Sequence, residues 1–187
     1  FAIVSKDIRE AIQALPSQEP PPKEKEHREG SGPGTTQGDR SSNLRVRRKF
    51  DDHERDEFLE NSYEYMARYF DGSLKKLASR NPQIKTKFKR SSETSFTSSI
   101  YEGGERVAQC SVWYGEIGLG SRAIYYSHSG EAQRSGFNES LSVADDGYTL
   151  QLKPLGLAMH GNYQEDALSQ QGAAEYYWSL FIRPLQE

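Results

Sequence analysis

The chain has 187 residues, of which 34% are hydrophobic and 27% charged, and its formal net charge is -3 at pH 7. No apolar run approaches the roughly 20 residues that cross a bilayer, so the sequence predicts no membrane-spanning segment. The single cysteine excludes an internal disulfide and a cysteine-rich zinc site. The near-neutral charge does not indicate a dedicated nucleic-acid-binding protein. We therefore expect a soluble, cytoplasmic protein without a cofactor.

Residues 1–15 predict a short strand followed by a helix. Residues 1–4 are apolar throughout. Apolar residues then recur at helical spacing before Pro16: Ile8, Ala11, Ile12 and Leu15. A strand followed directly by a helix is typical of the last unit of an α/β domain, which would lie upstream. The alternative is a free N-terminal helix that docks on the main domain, and the pattern is compatible with both.

Residues 16–43 have the composition of a disordered tether. The segment contains no hydrophobic residue and holds five of the eight prolines. Such a segment cannot bury enough apolar surface to offset the entropy lost on ordering. The sequence therefore divides into a βα fragment (1–15), a tether (16–43) and a separate domain (44–187).

The domain begins with the strongest helical pattern of the chain. Asp51 and Glu54 have the spacing of a capping box, and seven acidic residues fall between positions 51 and 64, where they suit a helix N-terminus. Asn81 and Pro82 end the pattern. One apolar stripe repeats every three or four residues between these limits: Leu59, Tyr63, Met66, Phe70, Leu74 and Leu77.

Strand patterns follow, and then a second helix. Hairpins are predicted at Gly103–Gly104 and at residues 145–147. A second helical stripe runs from Ala167 to Ile182, and Trp178 on this helix is expected to pack on the sheet. The sequence therefore predicts an α+β fold in which an antiparallel sheet of about five strands carries two helices on one face. The predicted strand segments are 84–90, 94–101, 106–114, 122–128 and the two arms of the hairpin at 145–147.

The clearest electrostatic feature is a basic segment. Residues 72–92 contain seven Lys or Arg and no acid, whereas residues 123–187 have three basic and eight acidic residues, a net of -5. The strand predicted at residues 84–90 within this segment could bind anions, a nucleotide or single-stranded nucleic acid. The same lysines would also suit an ordinary solvated face, or an edge strand protected from aggregation. The candidate anion-binding residues are Lys85, Lys87, Lys89 and Arg90.

A second candidate site consists of polar residues near strand ends. His128, Asn138, Glu139 and His160 would line a pocket if the loops bring them together. Catalysis by His128 or Cys110 would require a nucleophile beside a base. Cys110 alternates with Val112 on a strand face that we expect to be packed, where a thiol is inert.

These observations favour a non-catalytic C-terminal sensing or interaction domain, tethered to an upstream α/β module such as a signalling domain. Its partner would be a protein or a small ligand. Two alternatives stay open: binding of a nucleotide or single-stranded nucleic acid through the basic strand, and a small hydrolase-like enzyme that uses His128 or Cys110.

Overall fold

The computed structural model describes residues 46–116, 122–130, 136–157 and 166–186. The predicted βα fragment at 1–15 and the tether at 16–43 lie outside the described residues, as does His160.

The first helix, α1 (Asp52–Arg80), forms as its caps and stripe predict. The Glu54 backbone N–H donates to Asp51 Oδ1 at 2.8 Å, and the Asp51 N–H donates to Glu54 Oε2 at 3.1 Å, which closes the capping box. The helix ends where the Asn81 backbone N–H and side-chain amide both donate to the Leu77 carbonyl. Five members of the predicted stripe are buried: Leu59, Tyr63, Met66, Phe70 and Leu74. Neither helix of the described part combines the length and the apolar character needed to cross a membrane.

In the described residues, six strands follow α1 and pair in chain order as one antiparallel meander, which confirms the predicted α+β class and its sheet of about five strands. The second helix, α2 (Gln170–Ile182), is capped by Ser169, whose Oγ accepts from the Gly172 N–H at 3.1 Å. A short 3-10 turn spans Arg183–Leu185. The strands are β1 (Ile84–Ser92), β2 (Ser95–Glu102), β3 (Glu105–Glu116), β4 (Arg122–Ser127), β5 (Glu139–Asp145) and β6 (Leu150–Pro154).

The second helix begins later than its apolar stripe predicts. Leu168, which the periodicity places in the helix, instead exchanges two backbone hydrogen bonds with Leu152 of β6, at 2.7 and 2.8 Å. Tyr177 of α2 is completely buried, and its hydroxyl donates to the Ile124 carbonyl of β4 at 2.8 Å. Trp178 is only partly buried and lies edge-on against Phe70 of α1, with 5.4 Å between ring centroids.

The core lies between one face of the sheet and the two helices. Alternate residues of each central strand point into it, and they include Phe96 of β2 and Ile124 of β4. Phe70 is in the middle of an aromatic cluster, with its ring centroid 5.3 Å from that of Phe96 and 5.8 Å from that of Phe181. This cluster joins α1, α2 and the sheet in one core.

The opposite face of the sheet has a buried centre. Trp113 and Tyr125 stack there with 5.6 Å between centroids, and Phe137 packs against Tyr125 at 5.0 Å. Gly130 approaches the Gln109 side chain closely enough that a Cβ at this glycine would lie 3.1 Å from Gln109 Oε1. Both described ends of the connection between β4 and β5 therefore lie over the middle strands, β3 and β4.

Replacement of Phe70 by Ala tests the core. The change removes a fully buried ring from the contact between both helices and the sheet, so we expect a loss of about 3–5 kcal/mol in the free energy of unfolding. Urea denaturation followed by circular dichroism measures it. Tyr148→Ala is the matched control, since Tyr148 is exposed, and it should cost less than about 1 kcal/mol. Equal losses in the two variants would contradict this description of the core.

Candidate functional site

Three of the predicted anion-binding residues share one exposed surface. Lys85, Lys87 and Lys89 alternate along β1 and point to the face opposite the helices, where their register partners are Tyr101, Ser99 and Thr97 of β2. Within the described parts of the chain, none of the three side chains has an ion pair or a hydrogen bond.

Arg90 is not part of this surface. It lies on the helix side of β1, where its guanidinium donates to both carboxylate oxygens of Glu64 on α1, at 2.8 and 2.6 Å. This hydrogen bonding raises the pKa of Arg90 and lowers the pKa of Glu64. Strand alternation alone separates position 90 from positions 85, 87 and 89, so the sequence already contained the signal that divides the predicted group.

The lysines stand on an open edge of the sheet. Among the described strands, β1 is the first of the meander and pairs with β2 alone. The other edge is closed, since β6 has five residues, ends at Pro154 and is paired on its outer side by Leu168. In the described structure, β1 therefore presents the longer edge, and no strand pairs with its outer side.

A groove of about 590 Å³ opens where β1 begins. Its apolar lining comes from Ile84, Leu77 and the side chains of Trp178, Ile182 and Leu185 at the end of α2 and beyond. Lys76 and Arg80 of α1 stand on its wall, and Glu102 is its one lining carboxylate. The sequence did not reveal this groove, because it depends on how α2 packs against the end of α1.

The five cations of this region differ from five others in the domain, which form ion pairs with carboxylates. Arg48, Lys75 and Arg122 lie 2.6 to 2.9 Å from the carboxylates of Glu54, Asp71 and Asp56, and Arg55 pairs with Asp145. The five cations of this region form no such ion pair in the described structure. We call these five residues the basic edge: Lys76, Arg80, Lys85, Lys87 and Lys89.

The second predicted site comes together in part, at the ends of β4 and β5. The His128 backbone N–H donates to Asn138 Oδ1 at 2.9 Å, and the His128 Nδ1 lies 3.2 Å from the Tyr126 hydroxyl. Glu139 follows in β5, opposite Tyr126 in the register. Three of the four predicted residues are therefore neighbours, while His160 lies outside the described residues.

Glu139 is completely buried and acts as a structural acceptor. Its Oε1 accepts from the backbone N–H groups of Ser140, at 2.9 Å, and Gly156, at 3.1 Å. Its Oε2 accepts from the Tyr176 hydroxyl at 2.7 Å. Burial, and then the bond to Glu139, raise the pKa of Tyr176 well above its ordinary value. The carboxylate thus joins β5, the segment after β6 and α2.

The thiol of Cys110 is unsuited to nucleophilic attack. It is completely buried on the helix side of β3, and this burial strongly raises its pKa, so the thiol stays protonated. Burial, and then the charge of Arg183, lower the pKa of His128, so its imidazole is neutral near pH 7. The structure therefore gives the hydrolase alternative no activated cysteine.

The buried tyrosines predict how stability depends on pH. Burial raises the pKa of Tyr126, Tyr176 and Tyr177, so the folded state holds these protons more tightly than the unfolded state, where the pKa is about 10. The contribution of these tyrosines to the free energy of unfolding should therefore be level below about pH 9 and fall above about pH 10. Urea denaturation at a series of pH values measures it.

Tyr176→Phe removes one contributor and should make this alkaline fall shallower. Tyr148→Phe, at an exposed position, should leave its slope unchanged. The same slope in the Tyr176→Phe variant as in the wild type would show that Tyr176 does not contribute.

The comparisons with known proteins agree on one family. A model of the "Y4lF protein domain" matches residues 85–183, from the second residue of β1 to just past the end of α2. The chain is also 36% identical over 149 residues to the "Uncharacterized protein y4lF" of Sinorhizobium fredii (strain NBRC 101917 / NGR234). That alignment covers 80% of this chain and 46% of the relative, so the chain spans about half the relative's length. No solved structure matches. Because the family model covers more than half of the chain, this chain belongs to the Y4lF domain family.

Proposed function

We propose that residues 44–187 form a non-catalytic interaction domain, which binds an acidic segment of a protein partner at the basic edge. The observation that carries this proposal is a set of five cations that form no ion pair in the described residues: Lys76 and Arg80, which line an apolar groove, and three lysines that follow it along β1.

The charge distribution supports a partner of opposite sign. Like charges that lie near one another repel, and the five cations gain no compensating ion pair inside the described structure. A surface of this kind attracts acidic partners and accelerates their association, whereas paired surface charges do so much less. The groove adds apolar surface beside Lys76 and Arg80, where a side chain of the partner would be buried.

A protein partner fits this surface better than nucleic acid does. Binding of single-stranded nucleic acid commonly relies on exposed aromatic rings on which bases stack. Trp113 and Tyr125 of the lysine-bearing face are 1% and 5% exposed, so they are not available for stacking. Tyr101, half-buried, is the register partner of Lys85. We therefore treat nucleic-acid binding as an outcome that the experiment below detects.

In this proposal residues 16–43 tether the domain to an upstream α/β module, of which residues 1–15 form the last βα unit. The tether lets the domain recruit its partner while the upstream module acts on it. The relative from Sinorhizobium fredii, which is about twice as long as its matched portion, leaves room for such a module.

Charge reversal on the full chain tests the proposal. Fluorescence anisotropy would measure binding of labelled oligoglutamate and of a single-stranded oligothymidylate with the same number of charges. Lys87→Glu should weaken oligoglutamate binding about tenfold, since it replaces an attraction by a repulsion of similar size. Lys49→Glu is the matched control, because it makes the same charge change on an exposed residue before α1, and it should alter binding less than about twofold.

Equal effects of the two substitutions would contradict the proposed surface. Tighter binding of oligothymidylate than of oligoglutamate, again weakened by Lys87→Glu, would replace the acidic protein partner by nucleic acid.

A further inference from the structure

We infer that the acidic segment binds as an added strand, paired antiparallel or parallel with the outer edge of β1. This inference rests on the proposed function and specifies its geometry. In this geometry, the backbone of β1 pairs with one extended peptide, and its lysines contact the acidic side chains of that peptide.

The edge has the length that strand addition needs. The register of β1 with β2 is regular from Ile84 to Arg90 and shifts between Arg90 and Ser92. Seven regularly paired residues extend over roughly 23 Å at about 3.3 Å per residue, which is the length of an ordinary strand. No residue of β1 is a proline, so its outward N–H groups can donate to a partner, except that the Ile84 N–H already donates to the Asn81 carbonyl at 2.9 Å.

The side chains of β1 specify the sequence pattern of the added strand. Residues directly opposite in a sheet have Cβ atoms about 4.5–5.5 Å apart, so every second residue of the partner would stand against Lys85, Lys87 or Lys89. Carboxylates at those positions complement the lysines. The residues between them would continue the helix-side face, where Ile84 is buried and Phe88 is half-buried, so apolar side chains suit them.

The groove marks one end of this template. Ile84 is both the first residue of β1 and part of the groove lining. A peptide that follows the edge past Ile84 therefore reaches Leu77, Ile182 and the neighbouring Lys76. The expected partner is an extended segment with acidic residues at alternate positions and an apolar residue at the end beside Ile84.

A second copy of this chain is a poor occupant of the same edge. Antiparallel pairing of β1 with itself keeps the lysine-bearing faces on one side, so lysine would oppose lysine across the junction. Like charges directly opposite each other destabilise a sheet. The lysines thus disfavour self-association of the edge, as they do on many edge strands, and favour an acidic partner.

Synthetic peptides test strand addition without any change to the protein. The probe is a peptide of about nine residues that alternates Glu and Val, compared with an isomer in which the glutamates form one block. We expect the alternating peptide to bind the full chain at least about tenfold more tightly, because only it places carboxylates opposite all three lysines.

N-methylation then separates backbone pairing from charge attraction. Alternate N–H groups of a strand point to opposite edges, so methylation of all Glu nitrogens and methylation of all Val nitrogens block opposite edges of the peptide. One methylated peptide should lose at least about tenfold in affinity and the other less than about threefold.

The results that would contradict strand addition differ from those that would contradict the proposed function. Equal binding of both methylated peptides and the unmodified one would overturn strand addition while leaving the acidic-partner proposal in place, and equal binding of the block isomer would do the same. Failure of both the alternating peptide and oligoglutamate to bind would overturn the proposed function together with this inference.

Discussion

Burial of the apolar stripe of α1 against one face of the sheet is the constraint on which the rest of this domain depends. Leu59, Tyr63, Met66, Phe70 and Leu74 occupy that face together with α2. Both helices are on the same side, and on the opposite face the described residues form a buried centre around Trp113 and Tyr125. This one-sided arrangement leaves β1 as an open edge with its lysines in solvent.

Some of the ion pairs of the domain lie at the contact between α1 and the sheet. Ion pairs such as Arg90–Glu64 and Arg122–Asp56 connect α1 to strands of the sheet, so they lie where the helix and the sheet approach each other. Such exposed pairs add little stability individually, and their main effect is to neutralise charge locally. The five cations of the basic edge form no ion pair in the described residues, and this makes the basic edge a candidate surface for binding a partner.

Much of the fold was predictable because local patterns and global packing agree here. The capping box at Asp51 specifies where α1 begins, whereas the stripe of α1 and the alternation of β1 specify which side chains are buried. The structure confirms these three predictions. Leu168 was assigned to the wrong element because its apolar side chain fits a helical stripe, while its backbone is used to close the edge of β6. Such a long-range backbone pairing leaves no trace in local periodicity.

The candidate site was predictable only in part for a similar reason. The lysines of β1 and the neighbours His128, Asn138 and Glu139 could be chosen from residue type and position. The groove could not be predicted from the sequence, because it forms only where the end of α2 meets the end of α1 and the start of β1. The role of Glu139 was equally hidden, since its Tyr176 and Gly156 donors lie 37 and 17 positions away along the chain.

The most direct measurement of the central claim is residue-resolved amide hydrogen exchange of the full chain, with and without the alternating Glu-Val peptide. If the basic edge is a template for an added strand, the peptide should slow the exchange of alternate amides between Ile84 and Arg90. Leu152 and Leu168, whose amides are already paired, should not change. Unchanged exchange throughout β1 at saturating peptide, or new protection confined to residues 127–138, would contradict the account.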